Sequence, residues 1–184
     1  MQIPTNFKRA FTTDMIHSAV TRVGRQVTEW AIDAEQRTGE QVLAVCVLRG
    51  GAPFFVDLLR SVECSIEPAY CRTWAYSSDV NNQMVSGKVR VSVEEVVAGN
   101  RAIVIVDDIC DTGATLGKLQ RVFLDLGAAE VKSAVLIHRM VEKCAFRPDW
   151  SAFEYSGDEW FVGYGMEDRN RYSNLPEVYT ILNS

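Results

Sequence analysis

What this 184-residue chain lacks narrows its function first. No apolar run approaches the roughly 20 residues that a membrane-spanning helix needs, and Met1 to Phe11 lacks the basic start and apolar stretch of a signal peptide. A cytoplasmic protein with no membrane partner is expected. Basic residues are too few for a bulk nucleic-acid binder. The 19 Lys+Arg against 24 Asp+Glu give a net charge of -5, so no global positive field would hold a polyanion without sequence preference, and no nucleic-acid partner is expected. The five cysteines, Cys46, Cys64, Cys71, Cys110 and Cys144, are odd in number and show no C-x-x-C spacing, which excludes a disulfide framework and a zinc site. Cys46 and Cys110 sit in apolar runs, where a thiol behaves as a small hydrophobe. Cys110 is also flanked by acids and is expected to be inert rather than nucleophilic. Repeats, low-complexity segments and linkers are missing too, so residues 1–184 read as one domain.

What is present is a core: 47% of the residues are hydrophobic, enough for a chain of this length to bury a continuous interior. Behind Thr12 and Thr13, the positions Met15, Ile16, Ala19, Val20, Val23, Val27, Trp30 and Ala31 follow the 3.6-residue period of a long amphipathic helix. Val42 to Leu48 is a continuous apolar run closed by Arg49-Gly50-Gly51, after which Phe54, Phe55, Leu58 and Leu59 resume helical spacing. This reads as strand, tight turn, helix. The same pattern returns in Ala102 to Val106, the turn Asp107 to Thr115, and a helix carrying Leu116, Leu119, Val122, Phe123 and Leu126 before Gly127. Val131 to Ile137 is a third apolar strand. Near-continuous apolar strands separated by helices predict a doubly wound α/β fold with a mainly parallel sheet covered on both faces. A polar stretch, Thr73 to Gly87, precedes the alternating Lys88 to Val93 and predicts a long hairpin with a mobile tip. Glu159 to Gly165 is a short aromatic-rich strand, followed by the charged loop of Glu167, Asp168, Arg169 and Arg171.

The turn from Asp107 to Thr115 carries the chemistry. In an open parallel sheet, ligands bind beyond the carboxyl ends of the strands, where a helix N-terminus offers free N–H groups and a positive dipole end. Gly113 lets the backbone approach a ligand, and the hydroxyls of Thr112 and Thr115 can donate to phosphate oxygens. Asp107, Asp108 and Asp111 would repel phosphate alone. They imply a ligand that also presents hydroxyls, a metal or developing positive charge, and a sugar phosphate meets that requirement.

At this run the sequence resembles the phosphoribosyltransferases, which move ribose 5-phosphate from phosphoribosyl pyrophosphate (PRPP) to a nitrogen base. Among them it is most similar to the hypoxanthine-guanine enzymes, from Val42 to Ile181. Leu48-Arg49-Gly50-Gly51 resembles the family's pyrophosphate loop, which carries a cis peptide outside proline, Arg72 to Gly87 its closing loop, and Trp160 to Gly165 its purine-stacking strand. The resemblance implies that Asp107 and Asp108 hold the ribose hydroxyls and a metal. It implies that Asp111, Thr112, Gly113, Ala114 and Thr115 wrap the 5-phosphate, and that Leu48, Arg49, Gly50 and Arg72 serve PRPP and its pyrophosphate. Asp111 would be the catalytic acid–base group, stabilising charge and facing the purine N7. Trp160 would stack on the base and the Phe161 backbone would read its edge. Glu167 stands where the family has Asp and would ligate metal near the base.

Three positions depart from the family's pattern. His138 stands where the family's base-reading Lys is expected and is assigned to the base, with a donor capacity that differs from that of Lys. Ser173 replaces a pyrophosphate-binding Arg, with Arg171 or Arg169 as substitutes. The closing loop lacks a clean Ser-Tyr pair, and Trp74, Tyr76 or Ser77 are its candidates. The resemblance thus implies a Mg²⁺-dependent pentosyl transfer from PRPP to hypoxanthine or guanine, giving the nucleoside monophosphate and pyrophosphate in purine salvage. Xanthine or another base, or a PRPP-sensing regulator of the same fold, are the alternatives. It further implies a core over residues 38–140 with a flexible hairpin loop at 72–92, a hood from 1–12 and 141–184, and assembly as a homodimer or homotetramer.

Overall fold

A computed structural model describes residues 2–75, 89–92, 98–140 and 146–181. The chain runs β1 (Phe7–Phe11), α1 (Thr13–Thr38), β2 (Leu43–Leu48), α2 (Ala52–Ser61), β3 (Glu67–Ala75) and β4 (Val89–Ser92). It continues as β5 (Ala102–Cys110), α3 (Ala114–Asp125), β6 (Glu130–Arg139), β7 (Trp150–Tyr155), β8 (Trp160–Val162) and β9 (Val178–Ile181). Helix α1 starts where the Thr12 hydroxyl accepts from Met15 N at 3.2 Å and stops at Gly39, whose left-handed φ of 72° turns its N–H back onto Glu35 O. These are the cap chemistries expected at the two ends.

Six strands form the large sheet in the order β4-β3-β2-β5-β6-β7, parallel throughout except for the antiparallel β3–β4 pair. The fold is α/β, as the apolar runs predict. Their lack of alternation follows from the covering on both sides. Ala44, Cys46, Val104 and Val106 pack with Val20, Val23 and Phe55 of α1 and α2. Leu43, Val45, Ile103 and Ile105 pack with Leu116, Leu119 and Phe123 of α3. All of these side chains are buried, and burial of each contributes roughly 1.5–3 kcal/mol for the larger aliphatic and aromatic groups. A second, three-stranded antiparallel sheet, β1-β9-β8, joins the two ends of the chain.

Two strands differ from the sequence-based expectation. Glu67–Ala75 is a strand of the large sheet, although Pro68 and the exposed Tyr70 hide its pattern; it lies outside β2, where a proline near the strand start is tolerated. Trp150–Tyr155, expected in the hood, is instead the outer strand beyond β6. Arg22 of α1 donates Nη2 to Ser151 O at 3.2 Å and Ala152 O at 2.7 Å, occupying carbonyls of that edge. The tip of the hairpin between β3 and β4, with Tyr76 and Ser77, and Cys144 lie outside the described residues.

Candidate active site

The carboxyl ends of β2, β5 and β6 open into a cavity of about 630 Å³, the size of a small-molecule site. A second cavity of about 300 Å³ adjoins it around the turn between β5 and α3. Asp108 and Asp111 border both.

The smaller cavity is lined mostly by the consecutive residues Asp107 to Leu116, with Val47, Leu48, Gly50 and Thr73 closing its other side. Gly113 takes φ 74° at the N-cap of α3 and turns the chain, so that Thr112, Gly113, Ala114 and Thr115 line the space with the first helical turn, where the Ala114 amide makes only a long 3.4 Å bond to Thr112 Oγ1. Asp107 is buried at the base of this turn, with its Oδ1 accepting from Asp108 N at 2.9 Å, and Asp108 Oδ1 accepts from Ile109 N at 2.8 Å. Burial pushes both carboxyls above the ordinary carboxylate range, Asp107 strongly and with a further contribution from neighbouring Asp108. A pair of acids held this way favours a cation or a hydroxyl donor.

Leu48–Arg49 is a cis peptide. The Gly50 that follows lies directly on Asp108: a Cβ there would stand 1.9 Å from Asp108 Oδ2, so any larger residue would displace that carboxylate. Arg49 is exposed and its Nη2 bridges to Glu167 Oε1 at 3.1 Å across the mouth of the larger cavity. Arg72, opposite Leu48 in the β2–β3 register, lines the same wall. On the far side Trp160 is 58% exposed, an unusual position for an indole. Its Nε1 donates to Glu167 O at 3.1 Å, and Phe161 is buried behind it. An open indole face over a cavity can stack on a flat heterocycle.

The structure corrects one assignment. His138 does not reach the cavity: it is buried, paired in register with Cys110 and Glu154, on the α3 side of the sheet where Cys110 packs. Burial holds its pKa below the ordinary value, with Glu154 opposing and Arg147 adding to the shift. Strand alternation places the next residue, Arg139, in the cavity instead. Its Nε donates to Asp111 Oδ1, its Nη1 to Gly157 O, and its Nη2 to Glu159 O at 3.1 Å. The guanidinium also lies 5.0 Å from the centroid of the Phe161 ring. The sequence-based reading missed Arg139 because a one-residue step along a strand exchanges its faces. The available signal was Arg139 itself, a cation at the carboxyl end of an apolar strand that runs beside the one leading to Asp111.

Ser173 gives its carbonyl to Gly165 N at 2.9 Å, and Arg169 and Arg171, in the turn closed by Asp168 N to Arg171 O at 3.1 Å, are not among the residues lining either cavity. The Trp74 side chain lies outside the described residues. Burial pushes the Cys46 and Cys71 thiols up to about 12, and Cys110 is buried with Sγ 3.7 Å from Phe146 O.

Residues 13–169 match the phosphoribosyl transferase domain family. The hypoxanthine-guanine phosphoribosyltransferase of Lactococcus lactis subsp. lactis is 34% identical over 146 residues, spanning 76% of this chain and 75% of that protein. The hypoxanthine phosphoribosyltransferase of Salmonella typhimurium is 32% identical over 167 residues, 89% of this chain and 88% of its own length. In fold, the chain is similar to the crystal structure of a Staphylococcus aureus hypoxanthine phosphoribosyltransferase, with a TM-score of 0.82 over 95% of this chain and 90% of that one at 22% identity. Sequence and fold agree: the chain belongs to the phosphoribosyl transferase domain family, within its hypoxanthine-guanine phosphoribosyltransferase branch.

Proposed function

We propose that this chain transfers the 5-phosphoribosyl group of PRPP to hypoxanthine or guanine, releasing pyrophosphate. The observation that carries this reading is the Asp111–Arg139 pair. It stands where the anion-binding turn meets the larger cavity, within the walls that also contain Trp160.

The amides and hydroxyls of Thr112 to Thr115 bind the 5-phosphate, and Asp107 and Asp108 accept from the ribose hydroxyls. As pyrophosphate departs, the ribose gains positive charge, which the acids at the turn stabilise. Arg139 occupies one oxygen of Asp111 and so fixes the carboxylate, while the other is free to hold the proton leaving the purine. A guanidinium has five N–H donors, and three are engaged here. The remaining two suit the 6-oxo group of an oxopurine, and Trp160 covers the base face.

Mg²⁺ dependence is part of the proposal. Mg²⁺ is commonly held by one or two carboxylates and the substrate's phosphates rather than by a protein cage. The pair of buried Asp107 and half-buried Asp108, which borders both cavities, suits that role, and among the described residues no group of three or more His, Cys, Asp or Glu forms a cage. Asp107 and Asp108 would hold the ion, with Glu167 as a further oxygen donor, and it would supply charge neutralisation of the pyrophosphate. A cytoplasmic location and assembly as a homodimer or homotetramer complete the reading. They rest on the family resemblance.

Pyrophosphate release from PRPP and Mg²⁺ tests the proposal across hypoxanthine, guanine, xanthine, adenine, uracil and orotate. Turnover with the first two is expected. Silence with both, or a preference for adenine or a pyrimidine, would refute it.

A further inference from the structure

Two parts of the cavity that the chain places far apart in sequence are in mechanical contact. The turn after β8 holds three successive residues in the left-handed region, Gly163 at φ 96°, Tyr164 at 48° and Gly165 at 101°. Gly165 lies against the loop that follows the cis peptide: a Cβ on it would fall 2.1 Å from Gly50 O and 2.9 Å from Pro53 Cδ. Gly50 in turn lies on Asp108. Asp108, Gly50 and Gly165 therefore stack without intervening side chains.

One hydrogen bond clamps the stack. Tyr164, a bulky residue rarely found at positive φ, is buried, and its hydroxyl donates to Asp57 Oδ2 of α2 at 2.6 Å. Asp57 sits on the helix that Gly51 and Pro53 begin. Its other oxygen is 3.9 Å from the exposed Arg60, too far for a competing strong bond. Neither Tyr164 nor Asp57 lines the cavity.

We infer that Tyr164 and Asp57 are positioning residues that couple the base subsite to the pyrophosphate subsite, by holding the Gly163–Gly165 turn against the Arg49–Gly51 loop. Filling either subsite then orders both, and by linkage each ligand raises the affinity of the other by the same factor. The inference rests on the transferase reading for the identity of the two ligands.

Calorimetry on the full chain tests it, with inorganic pyrophosphate and Mg²⁺ titrated in the presence and absence of saturating hypoxanthine. For the wild type the two dissociation constants should differ about fivefold or more, the ordinary range of coupling between sites. Tyr164→Phe should bring the ratio close to one. Asp57→Asn, which keeps an oxygen to accept from the hydroxyl, should retain most of the coupling, and Asp57→Ala should lose it. Thermal melts of each variant separate this from loss of fold, since a merely structural bond would lower Tm and leave the ratio intact. An unchanged ratio in Tyr164→Phe overturns the inference. So does a wild type that binds pyrophosphate and hypoxanthine independently, a result that leaves the transferase reading standing. A wild type that binds neither ligand would defeat both.

Discussion

The two sides of the cavity are built in opposite ways. The side proposed to bind phosphate is built mainly from a single stretch, Asp107 to Thr115, where one strand ends and one helix begins, with Val47, Leu48, Gly50 and Thr73 completing its wall. The base side takes Arg139 from the end of β6, Trp160 from β8, and Glu167 from a loop that also reaches Arg49. Local backbone geometry suffices to aim amides at an anion. Placing a cation beside Asp111 and against the Phe161 ring requires three separate elements to dock. The first side is therefore constrained by chain connectivity and the second by packing, and substitutions on each should fail differently.

The largest effect is expected at the junction. Asp111→Asn keeps an oxygen for Arg139 but removes the proton acceptor, and should lower turnover by about 10²–10⁴-fold, the usual worth of general acid–base catalysis. PRPP affinity should stay near that of the wild type in calorimetry. Equal turnover in the variant would remove Asp111 from the chemistry.

The next contrast separates two adjacent residues of β6. Arg139→Ala should cost kcat/KM for the base about 10–100-fold, as expected for loss of a hydrogen bond to a charged group, whereas His138→Ala should leave the ratio of hypoxanthine to xanthine turnover unchanged. A substrate profile that responds to His138 and ignores Arg139 would reverse the assignment.

A smaller effect opposes stability to function on the phosphate side. The Asp107 carboxyl is raised by burial, so its stabilising protonated form is fully present below the unfolded value of about 3.9, and that stability is lost as pH rises through the higher folded value. Ionising the carboxyl in this buried setting is therefore a liability. Asp107→Asn should raise Tm at pH 8 by about 2–4 °C, which corresponds to roughly 1 kcal/mol in a chain of this size, with little change at pH 4, while PRPP binding weakens. A fall in Tm at pH 8 would show that Asp107 is not strained by its surroundings.

The smallest concerns His138 again. Its folded pKa lies below the ordinary value, so its contribution to stability is complete above about 6.5 and is lost as pH falls through the folded value. Replacing it by Gln should flatten the pH dependence of Tm on the acid side of 6.5. A slope identical to that of the wild type would mean that the imidazole titrates in the native state as freely as in the unfolded chain.

The legible parts of the molecule were those whose pattern is carried by consecutive residues. The apolar runs of β2, β5 and β6 announced a covered parallel sheet, and Thr12 and Gly127 marked helix boundaries. β3 escaped notice because Pro68 and the exposed Tyr70 and Arg72 leave only Ala69, Cys71 and Thr73 as its covered positions, too small and polar to read as an apolar run, and β7 because its six residues show no full alternation. Arg139 was one residue from the position assigned to the base, an error that a strand turns into the opposite face of the sheet.

By itself the sequence determined the fold class and the anion-binding turn, because hydrophobic periodicity and the Asp-Thr-Gly step into a helix act over a few residues. Only the tertiary structure decided which residue of β6 lines the larger cavity, that Arg139 grips Asp111, and that Gly165 rests on Gly50. Those relations depend on register and on the docking of a second sheet against the first, which are set by packing across the whole core rather than by any local run of side chains.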